Sequence, residues 1–260
     1  MARTLVIGDI HGGLRALQQV LERCEYNASN DQLIFLGDYV DGWSESAQVI
    51  DHLIQIQENT TITPIFLRGN HDKWCEDWMT TGVRHPYWVQ NGGGTTINSY
   101  INQGLVGDRK HTMFFYKLHN YYVDEFNRAF VHGGFVSRKG VGHDPYPSDY
   151  YWDRDMWELA MMLHNRPDQG TSKSRRFEKH REVYIGHTAT TIWKCKSHYP
   201  EAKFMEVGKP ITVPMNRCNV WNLDTGGGWS GKLTVMDVDT KQFWQSDLVS
   251  DLYPEEKGRN

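Results

Sequence analysis

The sequence predicts an α/β fold in which parallel strands alternate with helices. Residues 4–10 are rich in β-branched side chains and begin with an apolar run that stops at Gly8, which is typical of a strand covered on both faces. Apolar residues at helical spacing follow over 14–24, and the order of strand and helix then repeats from 32–38 onward. Since strands that alternate with helices form parallel βαβ units, we expect their carboxyl ends to lie along one edge of a sheet.

The first half of the chain contains three such strand ends. The first predicted strand delivers Asp9 and His11 directly after its apolar run. The second, residues 32–38, ends in Gly-Asp, and a helix beginning near Ser44 leads from it to the third strand. The third, residues 62–72, ends in Gly-Asn-His-Asp. Three strands therefore end in side chains with oxygen or nitrogen donors.

The second half continues this pattern and then changes. Residues 73–110 look irregular apart from a short helix through 97–101, and we expect them to cover the sheet edge. Residues 128–134 and 182–188 are short apolar strands that end beside a histidine. The remaining strands are expected to be antiparallel and to lie at 220–224, 232–238 and 241–246.

Other segments carry weaker signals. Residues 150–164 have the spacing of an amphipathic helix, whereas 114–123 are compatible with a helix or a strand. The glycines at 226–228 predict a hairpin turn or a close backbone approach, because no helix start follows them as a phosphate-binding loop requires. The charged segment from Tyr253 onward is expected to fray.

Composition excludes several classes of function. With 28 Lys and Arg against 32 Asp and Glu, the formal net charge is −4, so the chain has no general attraction for nucleic acid or anionic membranes. Its four cysteines form no C-x-x-C pair and are expected to be reduced thiols. No apolar segment suits a signal peptide or a membrane span, so we expect a cytoplasmic protein with one domain over 1–260.

Six metal-type donors collect at the predicted strand ends. Carboxylate, amide oxygen and imidazole together suit borderline divalent metals better than calcium, and six donors around one edge can hold two ions. Such a pair lowers the pKa of a shared water and clamps a phosphoryl group during in-line attack, so the pattern predicts hydrolysis of a phosphate ester. The expected ligands of one ion are Asp9 and His11, those of the other are Asn70, His132 and His187, and the bridging ligand is Asp38.

Five short motifs in this order resemble those of the calcineurin-like metallophosphoesterase superfamily. Within it, the chain most resembles the bacterial and phage branch of the phosphoprotein phosphatase (PPP) family, which also contains symmetrical diadenosine tetraphosphatases. One motif alone would be weak evidence, but five in order are specific. They are Gly-Asp-Ile-His-Gly at 8–12, Gly-Asp-Tyr-Val-Asp at 37–41, Arg-Gly-Asn-His-Asp at 68–72, Val-His-Gly at 131–133 and Gly-His-Thr at 186–188.

The resemblance implies a β-sandwich of two sheets flanked by helices, in four layers αββα, with a dinuclear centre and a metal-bridging hydroxide where the strands end. The two divalent ions of the family are usually Mn(2+) or an iron and manganese pair, and zinc is an alternative. The resemblance also implies His71 as the general acid that protonates the leaving oxygen, paired with Asp41. Arg154 and Arg68 match the family's substrate region and would bind the phosphate.

One position departs from the family pattern. The family usually has Asp-Arg-Gly where this chain has Asp-Gly-Trp at 41–43, so Gly42 replaces an arginine that is expected to bind phosphate. Either Arg154 suffices, or a basic side chain from elsewhere, such as Arg175 or Arg176, fills the gap.

The predicted activity is metal-dependent hydrolysis of phosphate monoesters, with phosphoserine or phosphothreonine in proteins as the leading substrate. The alternative is a symmetrical bis(5'-nucleosyl)-tetraphosphatase or another nucleotide phosphohydrolase, motivated by the family and by Gly42. A third interpretation is a non-catalytic metal-binding scaffold that binds partners through a Trp-rich surface. The expected partner is therefore a phosphorylated protein or peptide, or a nucleotide polyphosphate.

Overall fold

Two five-stranded sheets form the centre of the protein, in a computed structural model that describes residues 2–165 and 176–259. The strands are β1 (Thr4–Ile7), β2 (Gln32–Phe35), β3 (Ile65–Phe66), β4 (Tyr121–Val123), β5 (Arg128–Val131), β6 (Glu182–Ile185), β7 (Met215–Arg217), β8 (Val220–Asn222), β9 (Thr234–Asp237) and β10 (Phe243–Gln245). The α-helices are α1 (Leu14–Arg23), α2 (Ser46–Asn59), α3 (Asn70–Thr81), α4 (Pro86–Trp88), α5 (Gly94–Gln103), α6 (Arg109–Tyr116), α7 (Asp149–Trp152), α8 (Asp155–Asn165) and α9 (Val249–Leu252).

Each sheet combines parallel and antiparallel strands. The first has the order β10-β9-β1-β2-β3, in which β1, β2 and β3 are parallel and β9 pairs antiparallel with both β1 and β10. The second has the order β4-β5-β6-β8-β7, in which β5, β6 and β8 are parallel and both edge strands are antiparallel. In both sheets, the loops after the parallel strands therefore leave from one edge.

The sheets pack face to face, and helices cover their outer faces. Alternate residues of β1 show the arrangement: Val6 belongs to the apolar cluster between the sheets, together with Phe130 and Tyr184, whereas Leu5 and Ile7 pack against the helices on the other side. Both faces of β1 are thus buried, which accounts for its continuous apolar run.

The second sheet is covered in the same way. Val183 and Ile185 of β6 lie in a third apolar cluster that includes Trp157 of α8. The order of layers is therefore helices, sheet, sheet, helices, which confirms the predicted αββα sandwich. Among the described helices, none combines the length and apolar character that crossing a bilayer requires.

The prediction that residues 73–110 are irregular is wrong, because this region is mainly helical. α3 begins at Asn70 itself, and its buried side chains Cys75, Trp78 and Met79 follow helical spacing. The high Trp and Gly content had obscured this spacing. A π-helical turn at Val89–Gly93 then joins α4 to α5.

Three other segments are now defined. The ambiguous residues 114–123 contain both elements, since α6 ends before β4 begins. The helix predicted over 150–164 is two helices, α7 and α8, with the break at Asp153 and Arg154. Strand β7 was not predicted.

Candidate metal centre and active site

The six predicted donors come from loops that follow the parallel strands, and all are buried, with no more than 6% of any residue exposed. The β1 loop carries two of them, and the loops after β2, β5 and β6 carry one each. The sixth is the first residue of α3. In that order they are Asp9 and His11, Asp38, His132, His187, and Asn70.

The backbone at several of these donors is strained. His11, Asp38 and His187 have φ values of +50°, +53° and +67°, and Asp41 nearby has +72°. Residues other than glycine rarely adopt this left-handed backbone conformation. It costs about 1–3 kcal/mol per residue and persists where the surrounding structure enforces it. Such strain is typical of functional sites.

Asp72 holds the loop after β2 in this conformation. Its carboxylate accepts the backbone N–H groups of Asp38 at 2.7 Å, Tyr39 at 2.9 Å and Gly69 at 2.8 Å. The backbone N–H of His71 in turn donates to Asp38 Oδ1 at 3.0 Å. The last residue of the Arg-Gly-Asn-His-Asp motif is therefore a positioning residue, a role that sequence reasoning had not assigned.

The donors form two groups that share one carboxylate. Ligand atoms of Asp9, His11 and Asp38 lie within 4.8 Å of one another, and so do those of Asp38, His132 and His187. Asn70 Oδ1 lies 3.3 Å from His132 Nε2, which places it with the second group. The structure thus brings the six residues together in the division expected from the sequence.

Backbone carbonyls orient the two central imidazoles. Nδ1 of His11 lies 3.0 Å from the carbonyl oxygen of Val40, and Nδ1 of His132 lies 2.8 Å from that of Leu36. A carbonyl can only accept, so each Nδ1 carries a proton and Nε2 faces inward. The Nε2 atoms lie 3.6 and 3.4 Å from Asp38 Oδ2.

Two buried atoms show that this cluster fits metal ions. Asp9 Oδ1 and His187 Nε2 have no hydrogen-bond partner in the part of the chain that the structure describes. Burial lowers the pKa of His11 and of His187 well below the usual range, so both imidazoles are neutral and able to ligate. Oxygen and imidazole donors in this mixture suit manganese, iron or zinc.

His71 and Asp41 form a second buried unit beside the donors. His71 Nδ1 lies 2.6 Å from Asp41 Oδ2, and the imidazole of His71 meets that of His11 edge to face, with ring centroids 5.1 Å apart. Trp88 Nε1 and Thr96 Oγ1 each donate to the Asp41 carboxylate at 2.6 Å. Neither Trp88 nor Thr96 carried a signal in the sequence, because both lie in the segment expected to be irregular.

Burial decides the protonation of this pair. It raises the pKa of Asp41 to about 8, against the hydrogen bonds from Thr96 and Trp88. It also lowers the pKa of His71 to about 3, against the attraction of Asp38. Near neutral pH the pair therefore shares one proton across its short bond, and His71 Nε2 keeps the ring proton that it can donate.

The arginines proposed for phosphate binding lie in different places. Arg154 donates through Nη1 to the carbonyl oxygen of His187 and to Thr188 Oγ1, each at 2.9 Å, so it lies beside the second donor group. The guanidinium of Arg68 instead binds Glu76 and the carbonyl oxygen of Phe115. A partly buried carboxylate therefore holds the guanidinium of Arg68.

Of the two arginines suggested as a replacement at Gly42, only Arg176 is described, and it pairs elsewhere. Arg176 pairs with Asp153 at 2.9 Å, and Arg175 lies outside the described residues. Arg259 was missed entirely: its Nη1 lies 3.2 Å from His11 Nε2.

A cleft of about 580 Å³ opens beside the donors. Its walls include two arginines, two tryptophans and one of the donors, and it is large enough for a phosphorylated side chain or part of a nucleotide. These residues are Arg154, Arg259, Trp193, Trp229 and His187.

The chain is similar to one known protein family and to several named relatives. The family model described as calcineurin-like phosphoesterase matches residues 2–191. Serine/threonine-protein phosphatase 1 of Salmonella typhimurium is 30% identical over 240 residues, which cover 90% of each chain. A symmetrical bis(5'-nucleosyl)-tetraphosphatase of Marinomonas sp. is 29% identical over 134 residues, or 50% of this chain.

The match to the tetraphosphatase spans only 44% of that relative's length, and a similar match to its counterpart from Coxiella burnetii spans 22%. Among solved structures, a metallophosphoesterase from Sphaerobacter thermophilus superposes with a TM-score of 0.51 at 18% identity, covering 95% of this chain and 89% of that one. At that identity the superposition shows the fold alone.

The four-layer fold, with two donor groups at its strand ends, defines an α/β protein with a candidate dinuclear metal centre. Together with the matched family model, it shows that the chain belongs to the calcineurin-like phosphoesterase family. The membership predicted from the five motifs is confirmed.

Proposed function

We propose that this protein is a metal-dependent phosphomonoesterase that acts on phosphoserine or phosphothreonine in proteins or peptides. The observation that carries the proposal is the position of Asp38, which belongs to both donor groups while its carboxylate also accepts the N–H of His71. Full-length similarity to a serine/threonine-protein phosphatase supports this substrate class.

The proposed cofactor is a pair of divalent ions, Mn(2+) first, with an iron and manganese pair or zinc as alternatives. The six donors would hold them, and when bound they supply Lewis acidity and an activated water at neutral pH. The chain's own contribution is to fix the donor set through Asp72 and the carbonyl groups that orient the imidazoles.

His71 is proposed as the general acid. A serine alkoxide is a poor leaving group and needs a proton as the bond to phosphorus breaks. His71 Nε2 can donate that proton, and Nδ1 then takes the proton shared with Asp41. Trp88 and Thr96 hold the Asp41 carboxylate in place for this transfer.

Arg154 is proposed to bind the phosphate. Its Nη1 is fixed by the 187–188 loop, which leaves the rest of the planar guanidinium facing the cleft, where it can donate to phosphoryl oxygens. Arg68 is not proposed for this role, because Glu76 holds it.

Purified protein loaded with manganese tests the activity. We expect hydrolysis of p-nitrophenyl phosphate and of phosphoserine or phosphothreonine peptides, and loss of both activities after metal removal by a chelator. If the loaded protein leaves all of these substrates intact, the proposal fails.

A nucleotide hydrolase is the second candidate, favoured by Trp193 and Trp229 in the cleft, since indole rings can stack on a purine base. Release of two ADP molecules from diadenosine tetraphosphate, measured by chromatography, would identify it. A non-catalytic scaffold is the third candidate, and it requires that His71→Asn change no measured activity.

We further treat residues 1–260 as one domain, because segments from both ends of the chain contribute to the first sheet. A cytoplasmic location stays a proposal based on the expected reduced cysteines, and microscopy of a tagged protein would test it.

A further inference from the structure

Segment 253–259, which was expected to fray, packs on the body of the protein. Tyr253 is 1% exposed, and its ring stacks on Trp43 with centroids 5.2 Å apart. The carboxylate of Glu256 accepts the backbone N–H of Ser44 at 2.9 Å and its hydroxyl at 2.7 Å. The segment is therefore anchored beside the loop after β2.

These anchors direct Arg259 toward the donors. Its backbone N–H donates to the carbonyl oxygen of Gly228 at 2.9 Å, and its guanidinium lies over the ring of Trp229 at 4.9 Å from the centroid. The side chain then reaches His11, where Nη1 lies 3.2 Å from Nε2.

Two glycines make room for this side chain. A Cβ atom at Gly42 would lie 3.0 Å from Arg259 Cγ. A Cβ at Gly228 would lie 3.0 Å from Arg259 Cδ and 2.4 Å from His11 Cδ2. The position where the sequence motif lacks its arginine is thus the position that the stem of Arg259 passes.

Apart from the ring of Trp229 and Nε2 of His11, the guanidinium of Arg259 has no ion-pair or hydrogen-bond partner among the described residues. Its Nε is buried and has no hydrogen-bond partner, and no carboxylate within 2–165 or 176–259 lies at ion-pair distance from it. Its contact with His11 uses the lone pair of Nε2, since Nδ1 carries the ring proton. One lone pair cannot serve both a metal ion and an N–H donor, so in the loaded protein Arg259 needs another acceptor.

We propose that Arg259 binds the phosphoryl group of the substrate, taking the place left by Gly42. The inference rests on the proposed function. It adds to the cleft a second cation besides Arg154, supplied by the segment 253–259. A guanidinium whose buried Nε lacks a hydrogen-bond partner among the described residues can donate to two phosphoryl oxygens. Tyr253 and Glu256 anchor the segment without the Arg259 side chain, so the charge of Arg259 is not needed to hold the segment in place.

The test uses manganese-loaded full-length protein with the variants Arg259→Gln, Arg259→Lys and the control Arg109→Ala. Gln keeps a polar stem of similar shape, Lys keeps the charge without the fork, and Arg109 is an exposed cation at the start of α6. The readouts are the affinity for inorganic phosphate by calorimetry, bound metal by elemental analysis, and kcat and KM on p-nitrophenyl phosphate.

We expect Arg259→Gln to weaken phosphate binding about 10- to 100-fold with metal content unchanged. Arg259→Lys should lose less, and Arg109→Ala should bind like the wild type. The inference is overturned if Arg259→Gln binds phosphate within twofold of wild type, if it loses metal, or if the loaded wild type does not bind phosphate. Wild-type protein that binds phosphate but hydrolyses no ester would refute the proposed function while leaving this inference supported by the binding data.

Discussion

The arginines beside the two donor groups are fixed in different ways. We call the group of Asp9 and His11 the first half of the site and the group of His132 and His187 the second half, and Asp38 belongs to both. In the second half, Arg154 lies next to His187 and is fixed to the same loop by two hydrogen bonds. In the first half, Arg259 reaches His11 from a segment 248 residues away, and its buried Nε has no hydrogen-bond partner among the described residues. The candidate donors thus come from strand ends in both sheets, whereas the two arginines beside them come from unrelated parts of the chain.

This contrast shows which features the fold dictates. Parallel strands bring their carboxyl ends together whatever the loops contain, so the donors have to converge. Phosphate binding needs only a cation within reach of the donors, and any anchored segment can supply one. The following variants test whether both halves depend on Asp38 and whether each half has an arginine of its own.

Asp38→Asn should have the largest effect because both halves depend on this carboxylate. Loss of Lewis-acid stabilisation worth several kcal/mol corresponds to a fall in kcat of roughly a thousandfold or more. Elemental analysis should find both ions depleted. Asp9→Asn is the matched comparison and should deplete the first half only; equal depletion by both variants would contradict the sharing of Asp38.

His71→Asn should lower kcat about 10²- to 10⁴-fold while both halves keep their metal. The loss should be larger for a phosphoserine peptide than for p-nitrophenyl phosphate, since nitrophenolate leaves without a proton. Comparing kcat for the two substrates measures this difference. An equal loss on both substrates would argue against a general acid.

Arg154→Gln tests the second half against the first. We expect kcat/KM on phosphopeptides to fall about 10-fold or more, since a charge-assisted hydrogen bond to phosphate is lost. In a double-mutant cycle with Arg259→Gln, non-additive losses are expected, because both side chains would bind one phosphoryl group. Strict additivity would place the two arginines on separate ligands.

Arg68→Ala should have the smallest effect on activity. Its guanidinium binds Glu76, so we expect kcat/KM to stay within about twofold of wild type and the free energy of unfolding to fall by about 1 kcal/mol. Denaturant unfolding and steady-state kinetics measure the two effects, and Glu76→Gln is the matched control. A large loss of activity would return Arg68 to the site.

The donor residues could be predicted from sequence because their signal is local. A continuous apolar run followed by Gly-Asp or His-Gly marks a buried strand and the residue at its end, and parallel pairing then supplies the distances. Asp72 lay within a recognised motif, but its three backbone contacts became apparent only when the loops were in place.

Other features lacked a local signal. Trp88 and Thr96 reach Asp41 from α4 and α5, across more than 40 residues, and no spacing rule links them. Arg259 contacts His11 only because Tyr253 and Glu256 anchor its segment. A charged segment without periodicity gives no indication of such anchors.

We propose that the two donor groups hold two ions on either side of Asp38. A crystal structure of the manganese-loaded protein, with anomalous scattering at the manganese edge, tests it most directly. We predict two anomalous peaks, one beside Asp9 and His11 and one beside His132 and His187, with the Asp38 carboxylate contacting both. A single peak, or none within reach of Asp38, would show that Asp38 does not join two metal ions.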